Sequence, residues 1–389
     1  MRYDSFQDAL RNGQFDFVER RDAAASLPDE TRELIAGLGL LYDGRTAAAL
    51  AHFQAMATDA MDANVRGLSG RFAAQLLYER RDYRQLAAIV GEPADAGGKL
   101  VHILANLPEL ALESAESVGS ELRPGPRGHP FVQVTADGTD DFWVLDTGAS
   151  QSVVAASVAA ELGIEPVGEP VDVTTATTIV RPARVGLLKE LRLGQVLARN
   201  VPVLIYDDAD LTFELPESET PILLRGVIGW PVIRELRAQL DFPARQYTAY
   251  LSEPRDYGER NFSWMGYPFV RVAAPDGQPL LFGLDTGSSN TSIGDNLFRK
   301  LTFDEVRQDT ARIGGVGGFE TVDVRIVDRL QLAIAGTLAT LGEVRTEEES
   351  GVNDLVFFAG DGVLGSDLAQ NGTMLLDFPN AHFGIRPAT

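Results

Sequence analysis

The 389-residue chain contains no cysteine, which excludes disulfides and thiol catalysis and leaves the redox character of its compartment open. Histidine is nearly as scarce. The four copies, at positions 52, 102, 129 and 382, are too scattered to form a metal set, and each is expected to be solvent-facing or locally bonded. No apolar run approaches the ~20 residues needed to cross a bilayer, so no membrane insertion is expected. Met1-Arg2-Tyr3-Asp4 lacks the apolar segment of a signal peptide. The expected compartment is therefore the cytoplasm, or the periplasm if a leader has been removed. Positive charge is in short supply: 34 Lys+Arg against 56 Asp+Glu leave a net charge of −22. That balance argues against nucleic acid, whose phosphates need a basic face, and against an anionic membrane. Neither a phosphate-loop lysine motif nor a Gly-x-Ser-x-Gly elbow occurs. Gly315-Val316-Gly317-Gly318-Phe319 imitates a dinucleotide loop, but Glu320 stands at the third glycine position and no helical pattern follows. No cofactor or metal is expected.

What the chain does have is one triplet twice. Asp146-Thr147-Gly148 follows the apolar run Phe142-Trp143-Val144-Leu145, and Asp285-Thr286-Gly287 follows Leu281-Phe282-Gly283-Leu284. The copies continue alike, into Ala149-Ser150 and Ser288-Ser289. A single such triplet is usually an ordinary turn after a strand. Two copies inside a larger duplication imply a pair of carboxylates related by a two-fold.

The duplication is extensive. Pro130-Phe131-Val132-Gln133-Val134 returns as Pro268-Phe269-Val270-Arg271-Val272, an offset of 138. Gly226-Val227-Ile228-Gly229 returns as Gly362-Val363-Leu364-Gly365, and Leu240-Asp241-Phe242-Pro243 as Leu376-Asp377-Phe378-Pro379, both offset by 136. Landmarks in the same order at nearly one period mark a repeated lobe.

Residues 1–122 read differently. Apolar residues recur at helical spacing, as in Leu34, Leu38 and Leu41 or Phe72, Leu76 and Leu77. Gly44, Gly70 and Gly91 fall near expected helix ends, and Pro28-Asp29-Glu30 looks like a helix start. Gly39-Leu40-Leu41-Tyr42-Asp43-Gly44-Arg45 with Ala47-Ala48-Ala49-Leu50 and Phe53 is similar to a tetratricopeptide helical hairpin. The stretch 123–130 holds three prolines, which lack N–H donors, and reads as a linker rather than a helix or central strand. Beyond it come short strands bounded by turns, giving one β lobe over 131–253 and a second over 262–389. The expected fold is an all-α helical-hairpin domain followed by an all-β double-lobed structure.

Together these motifs resemble the two-lobed aspartic proteases of the pepsin and retropepsin superfamily, nearest to the bacterial retropepsin-like type. The resemblance covers about residues 128–389. It implies a catalytic pair in Asp146 and Asp285, and support from Thr147, Gly148, Ser150, Thr286, Gly287 and Ser289. Thr147 and Thr286 would cross-bond the lobes, and Ser150 and Ser289 would bond the outer carboxylate oxygens. Gly314, Gly315, Val316, Gly317 and Gly318 lie in a segment similar to a retroviral flap. Thr177, Thr178 and Ile179 occupy the flap position of lobe one, without the tyrosine of pepsin-like flaps. A monomer with an internal pseudo-dimer follows.

The chemistry rests on pairing. Peptide hydrolysis needs one group to take a proton from water and another to supply a proton to the carbonyl and leaving nitrogen. Two carboxylates roughly 3 Å apart do not both ionise cheaply, so one stays protonated. The pair shares the two roles, and the residue pattern does not separate them. Ala149 against Ser288 removes a hydroxyl donor from lobe one and should raise its carboxyl's pKa, for a working range less acidic than that of gastric proteases.

The expected partner is a peptide or protein substrate. Asp207, Asp208, Asp210, Glu214, Glu217 and Glu219, with Glu343, Glu347, Glu348, Glu349 and Asp354 at the equivalent place, read as solvated loops or as a preference for basic substrates. The helical part is expected to be a permanent domain that docks a substrate or protein partner, leaving residues 128–389 able to cleave a short peptide alone. The alternative is a catalytically silent peptide-binding scaffold using the same cleft.

Overall fold

The computed structural model describes residues 27–125, 128–175, 179–214, 221–264, 266–346 and 360–387. Helices come first: α1 (Asp29–Tyr42), α2 (Thr46–Asp59), α3 (Ala63–Glu79), α4 (Tyr83–Val90) and α5 (Ala96–Ala105). Asp62, Asp82 and Asp95 each precede one of the last three helices, and their carboxylates accept backbone N–H groups of the first turn. Those donors would otherwise lack partners. Leu34, Phe53 and Phe72 from the first three helices are buried together, with the two rings stacked at 4.9 Å. Gly70 lies inside α3 and not at a helix end. Burial of Phe72, Leu76 and Leu77 outweighs the modest cost of one glycine in a helix. No helix among the described residues is long and apolar enough to cross a membrane.

From residue 111 onward the chain is β-rich. In a nine-stranded sheet, Pro130–Ala136 and Thr139–Leu145 form a hairpin, and Gly226–Ile228 lies parallel beside its second strand. In an eight-stranded sheet, Pro268–Ala273 and Pro279–Leu284 form the matching hairpin, with Gly362–Leu364 parallel beside it. The sequence repeat is thus a repeat of local topology. Alternation within Pro130–Ala136 buries Val132, Val134 and Ala136 on one face, as the two-residue period of a strand requires.

The first β unit starts earlier than the expected boundary at 131. Ala111–Ser114 pairs with Val196–Tyr206, and Leu122–Pro124 pairs with Pro130–Ala136. The described residues of the segment read as a plain linker are therefore paired backbone, in which Gly125 N–H donates to His129 O at 2.8 Å. Pro124 is tolerated because Leu122–Pro124 sits off the main strand order of the sheet, and Pro130 because it is the first residue of its strand.

A four-stranded sheet joins the two halves. Leu236–Asp241 and Gly372–Asp377 pair antiparallel at its centre, flanked by Gln246–Leu251 and His382–Pro387. Gln239 faces Leu375, its own repeat mate at an offset of 136. A pseudo-two-fold through the sheet makes that pairing necessary.

The helical region is fastened to both halves. At the α3–α4 turn, Glu79 accepts from Arg234 Nε at 2.7 Å, and Arg81 donates to the carbonyl of Pro231 and to Glu235. At the α1–α2 turn, Arg260 donates to the carbonyls of Asp43 and Gly44, and the Arg271 guanidinium lies 4.2 Å over the ring of Tyr42.

Candidate active site

Each Asp-Thr-Gly triplet leaves the C-terminal end of a buried strand and is held by the strand lying parallel to it. Asp146 N–H donates to Ile228 O at 3.0 Å, and Asp285 N–H donates to Leu364 O at 2.9 Å. The glycines ending these partner strands are there for space. A Cβ on Gly229 would fall 2.4 Å from the backbone of Gln151, and one on Gly365 would fall 2.5 Å from that of Asn290. Any side chain would push the aspartate loops outward.

Beneath the loops Thr147 and Thr286 cross, and both are buried. Each hydroxyl accepts the other's amide and donates to the carbonyl preceding the other's aspartate. Above them the carboxyls meet. A Cβ on Gly287 would lie 2.4 Å from Asp146 Cγ, and one on Gly148 would lie 2.7 Å from Asp285 Cγ. Each glycine thus makes room for the opposite carboxyl. Asp146 Oδ1 accepts from the amides of Gly148 at 2.8 Å and Ala149 at 3.2 Å. Asp285 Oδ1 accepts from the amide of Ser288 at 3.0 Å, and the Gly287 amide also bonds this carboxyl.

The two carboxyls hydrogen-bond each other. Burial pushes Asp146 well above the ordinary carboxylate range, and the charge of Asp285 pushes it further. Burial also raises Asp285, but the hydrogen bonds it accepts hold it down. The pair therefore holds one proton between two carboxyls that are both raised. Such a pair holds both a proton acceptor and a proton donor at one point.

The hydroxyls expected to support the carboxylates bond elsewhere. Ser150 bonds Tyr78 of α3, and Ser289 accepts from Asn290. The Ser288 hydroxyl donates to Asn290 O, so Ala149 does not stand where a carboxylate donor would otherwise be. The loops are so tight that backbone amides reach the carboxylates first. Sequence reasoning missed Tyr267, whose hydroxyl bonds Asp285. Its one signal was its place before Pro268, where the first repeat has His129 before Pro130.

Behind the first loop Gln151 donates to Tyr78 Oη at 2.9 Å and to Tyr83 Oη at 3.0 Å. The helical region therefore touches residues four and five positions beyond Asp146.

Further along the second half, Val306–Gly315 and Gly318–Ile334 form a long hairpin turning at Val316 and Gly317, where Gly317 and Gly318 take positive φ. Its tip reaches the first half. Gly317 N–H donates to Asp210 O at 2.9 Å, Arg181 Nη2 donates to Gly317 O at 3.0 Å, and Arg181 Nε bonds Asp210 Oδ1 at 2.9 Å. In the first half, Ile179 O accepts from Thr175 N–H at 3.0 Å, between strands Pro166–Thr174 and Val180–Leu193. Thr177 and Thr178 lie outside the described residues, as do Glu217, Glu219, Glu347, Glu348, Glu349 and Asp354. The acidic side chains that are described are partly engaged: Asp208 accepts from Ser157 N–H, Asp210 binds Arg181, and Glu343 binds Arg307.

Residues 132–232 match the family model described as aspartyl protease. The matched interval takes in Asp146-Thr147-Gly148 and Gly226-Val227-Ile228-Gly229, and it ends before the second triplet. It supports aspartyl protease activity in general terms. No curated protein matches the chain.

Proposed function

We propose that the chain is an aspartic endopeptidase in which Asp146 and Asp285 activate one water molecule between two tandem β lobes. The observation that carries the reading is the pairing of the triplets: one inside the interval that matches aspartyl proteases, one outside it, their carboxyls hydrogen-bonded to each other. Asp285 takes a proton from water as the oxygen attacks the peptide carbonyl. Asp146 gives its proton to the carbonyl oxygen, forming a tetrahedral diol. Collapse of the diol breaks the C–N bond: one diol hydroxyl returns its proton to Asp146 as the carbonyl re-forms, and the proton held by Asp285 passes to the leaving nitrogen. The second hairpin, and Ile179 with its neighbours in the first half, close over the substrate and exclude water. The helical region, which we read as tetratricopeptide-like, is a permanent part of the enzyme.

The test is cleavage of a denatured peptide library by the parent chain beside Asp146→Asn and Asp285→Asn. Each variant should fall below a few per cent of parent activity, since one carboxyl does not supply both proton roles. Cleavage surviving in either variant sinks the mechanism. A parent that binds peptides yet cleaves none between about pH 3 and 8 favours the silent scaffold.

A further inference from the structure

The crossed threonines, the opposed glycines and the paired amides treat Asp146 and Asp285 almost alike. Tyr267 does not. It sits just before Pro268–Ala273, 7 % exposed, with its ring edge-on to Phe269 and against Gly283, where a Cβ would lie 3.1 Å from Cε1. Its hydroxyl lies 2.7 Å from the point a Gly148 Cβ would occupy, the same distance as Asp285 Cγ. The phenol is thus wedged between the two triplets, belonging to one half of the molecule and pressed on the loop of the other.

We propose that Tyr267 is a positioning residue that donates to the Asp285 carboxylate, keeps that residue the ionised member of the pair and leaves the proton on Asp146. The inference rests on the aspartic protease reading and assigns the two proton roles within it. A buried phenol needs a hydrogen-bond partner, and a buried carboxylate needs donors. Each meets the other's need here. The groups bonding the Asp285 carboxyl are Asp146, the amides of Gly287 and Ser288, and Tyr267. Asp146 and the Tyr267 phenol are the titratable ones among them, and Asp146 accepts from the amides of Gly148 and Ala149. The phenol therefore tips an otherwise balanced pair. The first repeat has His129 at the corresponding place, so the asymmetry is written into the sequence.

Asp285 then takes the proton from water, and Asp146, already protonated, serves the carbonyl oxygen. The same hydroxyl fixes how closely the two loops approach, because it fills the gap that Gly148 leaves.

The deciding experiment is a carboxyl carbon-13 NMR titration of the full chain labelled at aspartate, with Asp285 assigned through Asp285→Asn. Tyr267→Phe keeps the ring and removes one donor to the ionised form, so the Asp285 midpoint should rise by about one pH unit. Replacing Tyr267 with 3-fluorotyrosine strengthens the donor without changing the packing and should move the midpoint down. In the kinetics of Tyr267→Phe, the acid limb of kcat should shift upward with the midpoint. At the plateau kcat should fall about tenfold with KM within about twofold. An Asp285 midpoint that ignores both changes, or an ionised state found on Asp146, overturns the assignment. The titration reads Asp285 whether or not the chain cleaves a peptide. Failure of the protease reading would instead appear as a parent chain without activity.

Discussion

The amide of Thr147 donates to the hydroxyl of Thr286 at 3.0 Å, and the amide of Thr286 donates to the hydroxyl of Thr147 at the same distance. Both hydroxyls pass the bond onward, to Leu284 O at 2.7 Å and to Leu145 O at 2.6 Å. Four buried polar groups from the two halves are satisfied by two side chains. Thr286→Val keeps the volume but strands the Thr147 amide and the Leu145 carbonyl. At ~1–3 kcal/mol for each buried group left without a partner, the loss should be about 2–6 kcal/mol. Thr286→Ser keeps the hydroxyl and should cost far less. Urea denaturation of the three proteins checks the difference, and equal stability of the valine and parent chains would refute it.

The aspartates themselves should destabilise the fold at neutral pH. Burial raises both folded-state carboxyls above their unfolded range, and for Asp146 the charge of Asp285 adds to it. A carboxyl raised on folding stabilises the native state below the unfolded value near pH 4, and that contribution is lost as pH climbs through the raised value. Asparagine at 146 removes the titration while keeping the shape. Asp146→Asn should therefore melt about 3–6 °C above the parent at pH 7, with the gap closing toward pH 3. Thermal scans across that range provide the check. A variant less stable than the parent at pH 7 contradicts the electrostatic account.

Parts of this architecture were legible because they repeat. The apolar strand before each triplet, the returning apolar-apolar-Gly strand and the Leu-Asp-Phe-Pro turn each recur at one period, so one half could be read against the other. The boundary at 111 was not legible, because Ala111–Ser114 is a four-residue strand lying mostly exposed and so lacks a buried alternation. Gly70 misled because a glycine inside a helix looks the same in sequence as one that ends it. The carboxylate donors eluded the reading for another reason. Backbone amides carry no sequence signal, and the Tyr267 hydroxyl reaches Asp285 only through a fold that brings residues 18 positions apart together.

The bonds at Gly317 make a specific claim about access to the cleft. Arg181 holds both the carbonyl of Gly317 and the carboxylate of Asp210, while Asp210 holds the amide of Gly317 through its own carbonyl. Arg181→Ala removes two of the three bonds and should free the hairpin tip. The expected result is a rise of about three- to tenfold in KM for peptides with a smaller change in kcat, since in the proposed function the tip closes over the substrate. Limited proteolysis should also cut the 314–318 turn faster in the variant. Unchanged KM together with unchanged proteolysis would mean that the tip is held by its hairpin alone.

The helical region offers the sharpest discrimination, because sequence and structure point to different roles for it. The sequence favoured a recruiting domain whose removal spares cleavage of short peptides. Yet Tyr78 and Tyr83 hold Gln151, five residues beyond Asp146, and the buried Glu79 carboxylate holds Arg234 and accepts from Trp230 Nε1 at 3.4 Å. A recruiting domain acts on the capture of protein substrates, so damage to it raises KM for those alone. A brace acts on the geometry of the Asp146 loop, so damage lowers kcat for every substrate, however short. The combined Tyr78→Phe and Tyr83→Phe change leaves the aromatic packing and removes both acceptors of Gln151. We expect kcat on a short peptide to fall about three- to tenfold with KM nearly constant, in line with the loss of one or two buried hydrogen bonds. Glu79→Ala takes one of two carboxylate partners from a largely buried Arg234, leaving Glu235, and it should destabilise the whole chain by about 1–3 kcal/mol in denaturant unfolding. A double variant that cleaves the short peptide at the parent rate, but loses efficiency on folded protein substrates, would restore the recruiting role and dismiss the brace.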